Sequence, residues 1–180
     1  MEWTSSTGAK ILLREGDITR VRVDAIVNAA NSALAGGGGV DGAIHARGGP
    51  HIMRELDGIR ARIGRCAPGS ALATSAGRLP AQFVFHAVGP IYRGGSSGEA
   101  EQLASCYRTC LRMAEERTVR SISFPAISTG AYGYPMHEAA EIAIREVKAH
   151  LENPASTVRE VIFVVFSREM FRIYAAKLNS

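Results

Sequence analysis

The sequence predicts a three-layer α/β/α sandwich, in which helices cover both faces of one sheet. Segments with a strand pattern alternate along the chain with segments of helical periodicity, an order typical of such sheets. The segment EVIFVVF, at residues 160–166, is apolar over nearly its whole length, as expected for a strand buried on both faces. With 180 residues, 46% of them hydrophobic, the chain suits one domain with a sizeable core. We expect a single domain over residues 1–180, with residues 1–9 as a flexible N-terminal extension.

Each element is predicted from its own pattern. Short apolar or β-branched runs indicate strands, and apolar residues spaced three and four positions apart indicate helices. The predicted strands are Lys10–Glu15, Asp24–Ala29, Ala71–Ser75, Gln82–Val88, Ser121–Pro125 and Glu160–Phe166. The predicted helices are Val40–Gly48, His51–Ile63 and the apolar stripes that run from Leu103 to Ala114, from Met136 to Leu151 and from Met170 to Leu178.

Composition narrows the class of protein. No apolar run approaches the roughly 18 residues that span a membrane, and the N-terminus lacks a signal-peptide pattern, so we expect a cytoplasmic protein without a membrane partner. Three cysteines are an odd number and do not indicate a disulfide framework. The formal net charge of +4 favours anionic ligands in general, although at this modest charge an ordinary solvated surface is the favoured explanation. No cluster of lysines and arginines is long enough to indicate a nucleic-acid surface.

Two glycine-containing loops follow predicted strands and lead into predicted helices. The first covers 28–39 and contains four consecutive glycines, and the second, AISTGAYGYP, covers 126–135. Such loops expose backbone N–H groups, and a helix N-terminus behind them adds to their attraction for anions. Ligands of open α/β sheets bind outside the carboxyl ends of the strands. Two facing loops at that edge would suit a diphosphate with a sugar or base at each end, although either loop alone is compatible with ordinary turn chemistry.

The glycine run also satisfies G-x-G-x-x-G through Gly37, Gly39 and Gly42, but we reject a dinucleotide-binding interpretation. That motif should follow its strand at once, with an acidic residue about 20 positions further on at the end of a second strand. Here eight residues, 28–35, separate strand from glycines. The acidic residues at the expected distance, Glu55 and Asp57, lie in a helical pattern. A P-loop motif is also absent.

Candidate chemistry centres on Asp41, in the first turn of a predicted helix just beyond the glycines. One interpretation is that its charge complements the helix dipole; the other is that it orients a water molecule or a sugar hydroxyl. A glycosidase would require a second carboxylate, which neither loop provides. His45 follows one turn later and is interpreted as a packing or capping residue. The histidines and cysteines do not have metal-ligand spacing, so we expect no metal and no cofactor.

Further polar and aromatic residues lie near the same edge. Asp17 fits either an N-cap before Ile18–Arg20 or an acceptor for a purine amine. Asn28 and Asn31 are both placed to bond backbone groups of the first loop, and Asn31 is the better candidate for a ribose hydroxyl. Phe166 ends the last strand and fits either a stacking surface for a base or the core.

Several of these segments together resemble the macrodomain family, and most closely its MacroD-type branch, which includes bacterial O-acetyl-ADP-ribose deacetylases. The resemblance covers about residues 10–178 with the motifs in the same order. The segments are GDIT (16–19), DAIVNAAN (24–31), GGGGVDGAIH (36–45), GP (49–50), HAVGP (86–90) and FPAISTGAYGYP (124–135).

The resemblance implies a mixed sheet of about six strands with ADP-ribose lying across its carboxyl edge. It implies that Asn31 and Asp41 are the catalytic pair: Asp41 is the aspartate that positions water, and Asn31 contacts the distal ribose. The remaining ligand-binding residues that it implies are Asp17 and Ile18 at the adenine, Gly38, Gly39 and Val40 at the distal ribose and diphosphate, Ser128, Thr129, Gly130, Ala131 and Tyr132 on the opposite side, and Phe166 beside the adenine. We also count Asn28 among the ligand-binding residues.

Three functions remain open at this point. The first is a hydrolase that removes mono-ADP-ribose from acidic protein side chains and deacetylates O-acetyl-ADP-ribose, with ADP-ribose conjugates and mono-ADP-ribosylated proteins as partners. The water would be activated by Asp41 or by a phosphate oxygen of the substrate. The second is a non-catalytic module that binds ADP-ribose; the presence of Asn31 and Asp41 favours the enzyme. The third, suggested by a pI of about 9.2, is a single-stranded RNA binder. It predicts strong salt dependence, and we regard a nucleic-acid partner as the weakest of the three.

Overall fold

A computed structural model describes residues 1–180 and contains one sheet of seven strands and five α-helices. The strands are β1 (Glu2–Thr4), β2 (Lys10–Glu15), β3 (Ala25–Ala30), β4 (Ala71–Ser75), β5 (Phe83–Val88), β6 (Ser121–Phe124) and β7 (Glu160–Val165). The helices are α1 (Gly39–Gly48), α2 (Pro50–Ile63), α3 (Glu99–Glu116), α4 (Met136–Leu151) and α5 (Arg168–Leu178). A short 3-10 helix, Ile18–Arg20, follows β2. None of the helices is long and apolar enough to cross a membrane.

The sheet is mixed, as predicted, and its strand order is β1-β2-β7-β6-β3-β5-β4. The five inner strands are parallel, and both edge strands, β1 and β4, pair antiparallel to their neighbours. The carboxyl ends of β7, β6, β3 and β5 therefore lie side by side at one edge, in that order. The two glycine-containing loops leave this edge from the adjacent strands β3 and β6.

Helices cover both faces of the sheet and produce two separate cores. The larger core has 35 buried residues and packs α3, α4 and α5 against one face, around aromatic side chains such as Tyr107, Phe124 and Phe163. The smaller core has 15 buried residues and packs α1 and α2 against the other, through Ile44, Ile52 and others. The predicted three-layer architecture is confirmed.

Two expectations about the sheet are corrected. The sheet has seven strands where about six were expected. The additional strand is β1, within residues 1–9, which were expected to form a flexible extension. Glu2 lies opposite Leu12 and Thr4 opposite Lys10 in an antiparallel ladder, and the Lys10 ammonium lies 3.0 Å from the Glu2 carboxylate. Three residues are too few to show the alternation that identifies a strand in a sequence.

Candidate active site

A cavity of about 550 Å³ lies at the carboxyl edge of the sheet, above β7, β6 and β3. Most of its lining comes from three segments: the end of β3 with the loop after it and the start of α1, the loop after β6, and the end of β7 with the residues that join it to α5. Gly89, directly after β5, also lines it. The edge of the sheet and the two loops at it are those that the sequence predicted. The predicted residues that line the cavity are Asn31, Gly38, Gly39, Val40, Asp41, Ser128, Thr129, Gly130, Ala131, Tyr132 and Phe166.

The first loop presents a row of backbone donors. The N–H groups of residues 37–40 form no hydrogen bond within the protein. They lie at the N-terminus of α1, where the helix dipole also attracts negative charge. Steric constraints explain why glycine stands at two positions here. Gly39 has a φ of +59°, which other residues rarely adopt, and a Cβ on Gly42 would lie 2.7 Å from the carbonyl oxygen of Gly37. The glycine run therefore shapes a surface that an anion can approach closely.

The second loop presents a similar row from the opposite side. The N–H groups of Ser128, Gly130, Ala131 and Tyr132 form no hydrogen bond within the protein. The loop keeps its shape because Tyr134 N–H donates to the Ser128 carbonyl over 2.9 Å, and other bonds close turns within it. Ser128 has a φ of +67°, and its buried hydroxyl has no partner. Strained backbone and an unpaired hydroxyl at the cavity wall are features of a ligand-binding loop rather than of a loop optimised for stability.

Asp41 lies in the floor of the cavity and is nearly buried, with 6% of its surface exposed. Asn28 Nδ2 donates to Asp41 Oδ1 over 2.6 Å, and His45 Nε2 lies 3.4 Å from the same oxygen. Asp41 Oδ2 forms no hydrogen bond within the protein and lies toward the glycine loop. One carboxylate oxygen is thus held from behind, while the other is available to a water molecule or a hydroxyl group in the cavity.

Asn28 is itself held by a second buried residue, His86. The two residues are neighbours across the parallel pair β3–β5, and Asn28 Nδ2 lies 3.2 Å from His86 Nδ1. Because an amide nitrogen can only donate, His86 Nδ1 is the acceptor and Nε2 carries the proton, which it donates to the Thr74 hydroxyl over 2.9 Å. Burial, and secondarily the neighbouring His45, lowers the pKa of His86 to about 3. A neutral His86 therefore fixes the direction in which Asn28 donates to Asp41.

Asn28 was predicted as a ligand-binding residue, and the structure corrects this placement. Its side chain is fully buried and does not line the cavity. It contacts Asp41 from below, because its position in β3 directs the side chain into the layer under α1 rather than out of the sheet edge. Asn31, by contrast, lines the cavity. It donates to the Gly36 carbonyl over 3.0 Å and accepts from Ala35 N–H over 3.2 Å, and so it also supports the glycine loop.

Of the three residues predicted to lie beside the adenine, one lines the cavity and two do not. Phe166 lines the cavity and is 64% exposed, so its ring is available for stacking and the core interpretation is wrong. Asp17 caps the 3-10 helix, accepting from Thr19 N–H over 2.9 Å and from the Thr19 hydroxyl over 2.6 Å. That hydroxyl is the main reason that the pKa of Asp17 is lowered. Asp17 and the buried Ile18 lie outside the cavity lining, and their contacts with a base stay a prediction.

No group of three or more His, Cys, Asp or Glu side chains is arranged to hold a metal ion. What the cavity offers is backbone N–H donors on two sides, one carboxylate in its floor and one exposed aromatic ring at an end. The fold and the site together define a three-layer α/β protein with a cleft suited to a phosphorylated ligand.

Comparison with known proteins identifies the family: the chain belongs to the macrodomain family, whose Macro domain model matches residues 27–143. It is 53% identical over 166 residues to a macro domain-containing protein of Caldanaerobacter subterraneus, covering 92% of this chain and 94% of that one. It is 50% identical to a Salmonella newport protein named O-acetyl-ADP-ribose deacetylase, covering 95% of each chain.

Solved structures agree with this assignment. An Oceanobacillus iheyensis macrodomain superimposes with a TM-score of 0.94 at 39% identity, covering 99% of this chain and 95% of that one. A glycine-to-valine variant of that macrodomain, solved with ADPR, gives a TM-score of 0.93 over 99% and 96% of the two chains at the same identity. A Trypanosoma brucei macrodomain in complex with ADP-ribose gives 0.83, at 39% identity over 92% of this chain and 68% of that one.

Proposed function

We propose that this protein is a hydrolase of ADP-ribose conjugates of the MacroD type, which deacetylates O-acetyl-ADP-ribose and removes mono-ADP-ribose from acidic protein side chains. The observation that carries the proposal is the state of Asp41: one oxygen is bonded by Asn28 and the other is unbonded at the cavity. Relatives named O-acetyl-ADP-ribose deacetylase at about half identity support the hydrolytic class. Relatives solved with ADP-ribose or ADP support the ligand.

The cavity accounts for how such a ligand would lie. The two rows of N–H donors would take the diphosphate from both sides, because each donor is free and each row approaches the same cleft. The exposed ring of Phe166 would stack on the adenine, with Asp17 accepting from its amine and the backbone of Ile18 beside it. The distal ribose would then lie near Asn31 and Asp41, with Tyr132 above it.

Both substrates present an ester, and one reaction serves for both. Water adds its oxygen to the acyl carbon, the bond from that carbon to the ribose oxygen breaks, and the proton that water loses is transferred to that oxygen. The products are ADP-ribose and a carboxylic acid, which ionises to the carboxylate by releasing its proton to solvent. In this scheme Asp41 Oδ2 orients the water, and either Asp41 or a phosphate oxygen of the substrate accepts its proton before transfer.

The test is release of ADP-ribose from an auto-modified ADP-ribosyl transferase, followed by mass spectrometry. Wild type should release ADP-ribose from acidic side chains, and Asp41→Ala should release it at least about 100-fold more slowly, since the water would lose its orienting group. Asp57→Ala, which removes an exposed carboxylate from α2, is the matched control and should behave as wild type. Equal rates for wild type and Asp41→Ala would remove Asp41 from the mechanism.

The alternative is a module that binds ADP-ribose without turnover, since it would need the same N–H donors and the same aromatic ring. Isothermal titration with ADP-ribose, combined with the release assay, distinguishes the binding module from the hydrolase. Tight binding by wild type without release from either ester substrate would establish the binding module and refute the hydrolase.

A further inference from the structure

A second cavity of about 220 Å³ adjoins the first and is not used by the ADP-ribose placement described above. Gly89 and Tyr132 line both cavities. The remaining lining residues of the second cavity are Ser32, Pro68, Pro90, Ile91, Arg93, Ser97, Glu99 and Gln102. Most of them are polar or charged, in contrast to the half-apolar lining of the first cavity.

The strand order places this cavity on the distal-ribose side. Along the sheet edge β7 is followed by β6, β3 and β5. Phe166 follows β7, Asn31 follows β3, and Gly89 follows β5. A ligand with its base at Phe166 and its distal ribose at Asn31 therefore points its ribose toward the loop after β5, which lines the second cavity. A group esterified to that ribose is therefore directed toward the side of the sheet edge on which this cavity lies.

The loop that forms the outer wall, residues 89–98, is built to a fixed shape. The buried Glu99 carboxylate accepts from Arg93 N–H and Gly95 N–H over 2.9 Å each and from Ser97 N–H over 2.6 Å. These bonds, that of Arg93 first, lower the pKa of Glu99 to about 2. Tyr92 N–H donates to the Tyr132 carbonyl over 2.9 Å and so ties this loop to the wall of the first cavity. The wall is therefore present before any ligand binds.

Polar side chains that line the second cavity have no partner inside the protein. The Ser32 hydroxyl, the Gln102 amide and the Arg93 guanidinium appear in no intramolecular hydrogen bond or ion pair, although Ser32 and Gln102 are half-buried. The one carboxylate in the cavity, Glu99, is occupied by backbone N–H groups. Arg93 is consequently the unpaired cation among the residues that line this cavity.

We propose that the second cavity is an acceptor subsite that binds the peptide carrying an ADP-ribosylated glutamate or aspartate. In it Ser32 and Gln102 hydrogen-bond the peptide backbone, and Arg93 pairs with an acidic residue next to the modified one. The proposal rests on the proposed function for the identity of the ligand in the first cavity. It names the protein-linked conjugate, rather than a free small molecule, as the substrate that fills both cavities.

The experiment measures binding, so that it does not depend on turnover. The probes are free ADP-ribose and two peptides that carry ADP-ribose on glutamine, whose amide replaces the hydrolysable ester; one peptide has glutamate and the other alanine on both sides of the modified residue. Wild type should bind the glutamate-flanked peptide about three- to tenfold more tightly than the alanine-flanked one, as expected for one partly exposed ion pair. The difference should shrink in 0.5 M salt because of screening.

Arg93→Ala should abolish the preference between the two peptides and leave the affinity for free ADP-ribose within twofold. Arg62→Ala, which removes an exposed and unpaired arginine from α2, is the matched control and should keep the preference. Equal affinity of wild type for both peptides, or the same preference in Arg93→Ala, would overturn the subsite. Either result would leave the proposed hydrolysis intact, because that is measured separately on the ester substrates.

Discussion

The buried His86 predicts a specific dependence of stability on pH. Its pKa in the folded protein is about 3, below the ordinary value of 6.5, because burial disfavours the imidazolium. As the pH falls below 6.5, the unfolded chain binds a proton at this position that the folded chain does not. The contribution of His86 to stability is therefore complete above pH 6.5 and is lost progressively as the pH falls toward 3.

The magnitude follows from that difference. At pH 5.0, which is 1.5 units below 6.5, protonation of the unfolded chain at this single site lowers the free energy of unfolding by about 2 kcal/mol, at 1.36 kcal/mol per unit. Urea denaturation at pH 7.5 and 5.0 measures this. His86→Gln is the informative variant, since a glutamine amide offers an acceptor and a donor but does not titrate. Between pH 7.5 and 5.0 the free energy of unfolding of wild type should fall by about 2 kcal/mol more than that of His86→Gln.

His51→Gln is the control for this measurement. The His51 side chain is 62% exposed, so its removal should leave the pH dependence of wild type almost unchanged. If wild type and His86→Gln lost the same free energy between pH 7.5 and 5.0, His86 would not be neutral in the folded protein. The assignment of its Nδ1 as the acceptor from Asn28 would then fail as well.

Four further predictions concern the donor to Asp41, the two glycine-containing loops and the loop that Glu99 holds. On the proposed function, Asn28→Ala should lower kcat for O-acetyl-ADP-ribose about 10- to 100-fold with KM nearly unchanged, because the Asp41 carboxylate loses its 2.6 Å donor. An unchanged kcat in steady-state kinetics would contradict this. Ser128→Gly should raise the free energy of unfolding, measured by urea denaturation, by about 1 kcal/mol, because it relieves a left-handed φ and removes an unpaired buried hydroxyl. A free energy of unfolding below that of wild type would contradict this. Gly42→Ala should weaken ADP-ribose binding about tenfold in calorimetry, because the new Cβ would lie 2.7 Å from the Gly37 carbonyl oxygen and would displace the glycine loop. Gly58→Ala is the control, because a Cβ on Gly58 meets no atom within 4 Å. Glu99 has a pKa of about 2, so its hold on residues 89–98 is complete above pH 4.5 and is lost as the pH falls toward 2. Protection of the amides in that loop, corrected for the intrinsic exchange rate at each pH, should fall over this range in wild type and show no such fall in Glu99→Gln.

The sequence predicted the elements whose ends coincide with a change in hydrophobic pattern. Strands β2 and β4 have the predicted bounds, and β6 ends one residue early, at Phe124, because Pro125 has no N–H for the ladder. The start of α3 at Glu99 was not predictable from periodicity. The helix begins there because Gly98 has a left-handed backbone and Glu99 bonds the preceding loop, and both are local contacts rather than a pattern.

Within the site, sequence reasoning located the cavity and its loops, since the carboxyl ends of parallel strands meet at one edge. It did not find that Asn28 supports Asp41, or that the loop after β5 forms a second cavity. Both depend on which strands are neighbours. Asn28 and His86 are 58 positions apart and become adjacent only through the register of β3 on β5, and a parallel register is not readable from one chain.

A signal for this pair was nevertheless present in the composition of the two strands. In AIVNAA and FVFHAV, one polar residue interrupts an otherwise apolar run, and both strands are buried on both faces. A buried amide or imidazole without a partner costs about 1–3 kcal/mol, so each of these residues requires a polar neighbour inside the protein. Asn28 and His86 are the two such residues in β3 and β5, and the Asn28 amide donates to His86 Nδ1. The third member of the group, Asp41, uses the remaining amide donor. The polar interruption of a buried strand therefore indicates a residue that supports the Asp41 carboxylate, even though it never reaches the cavity itself.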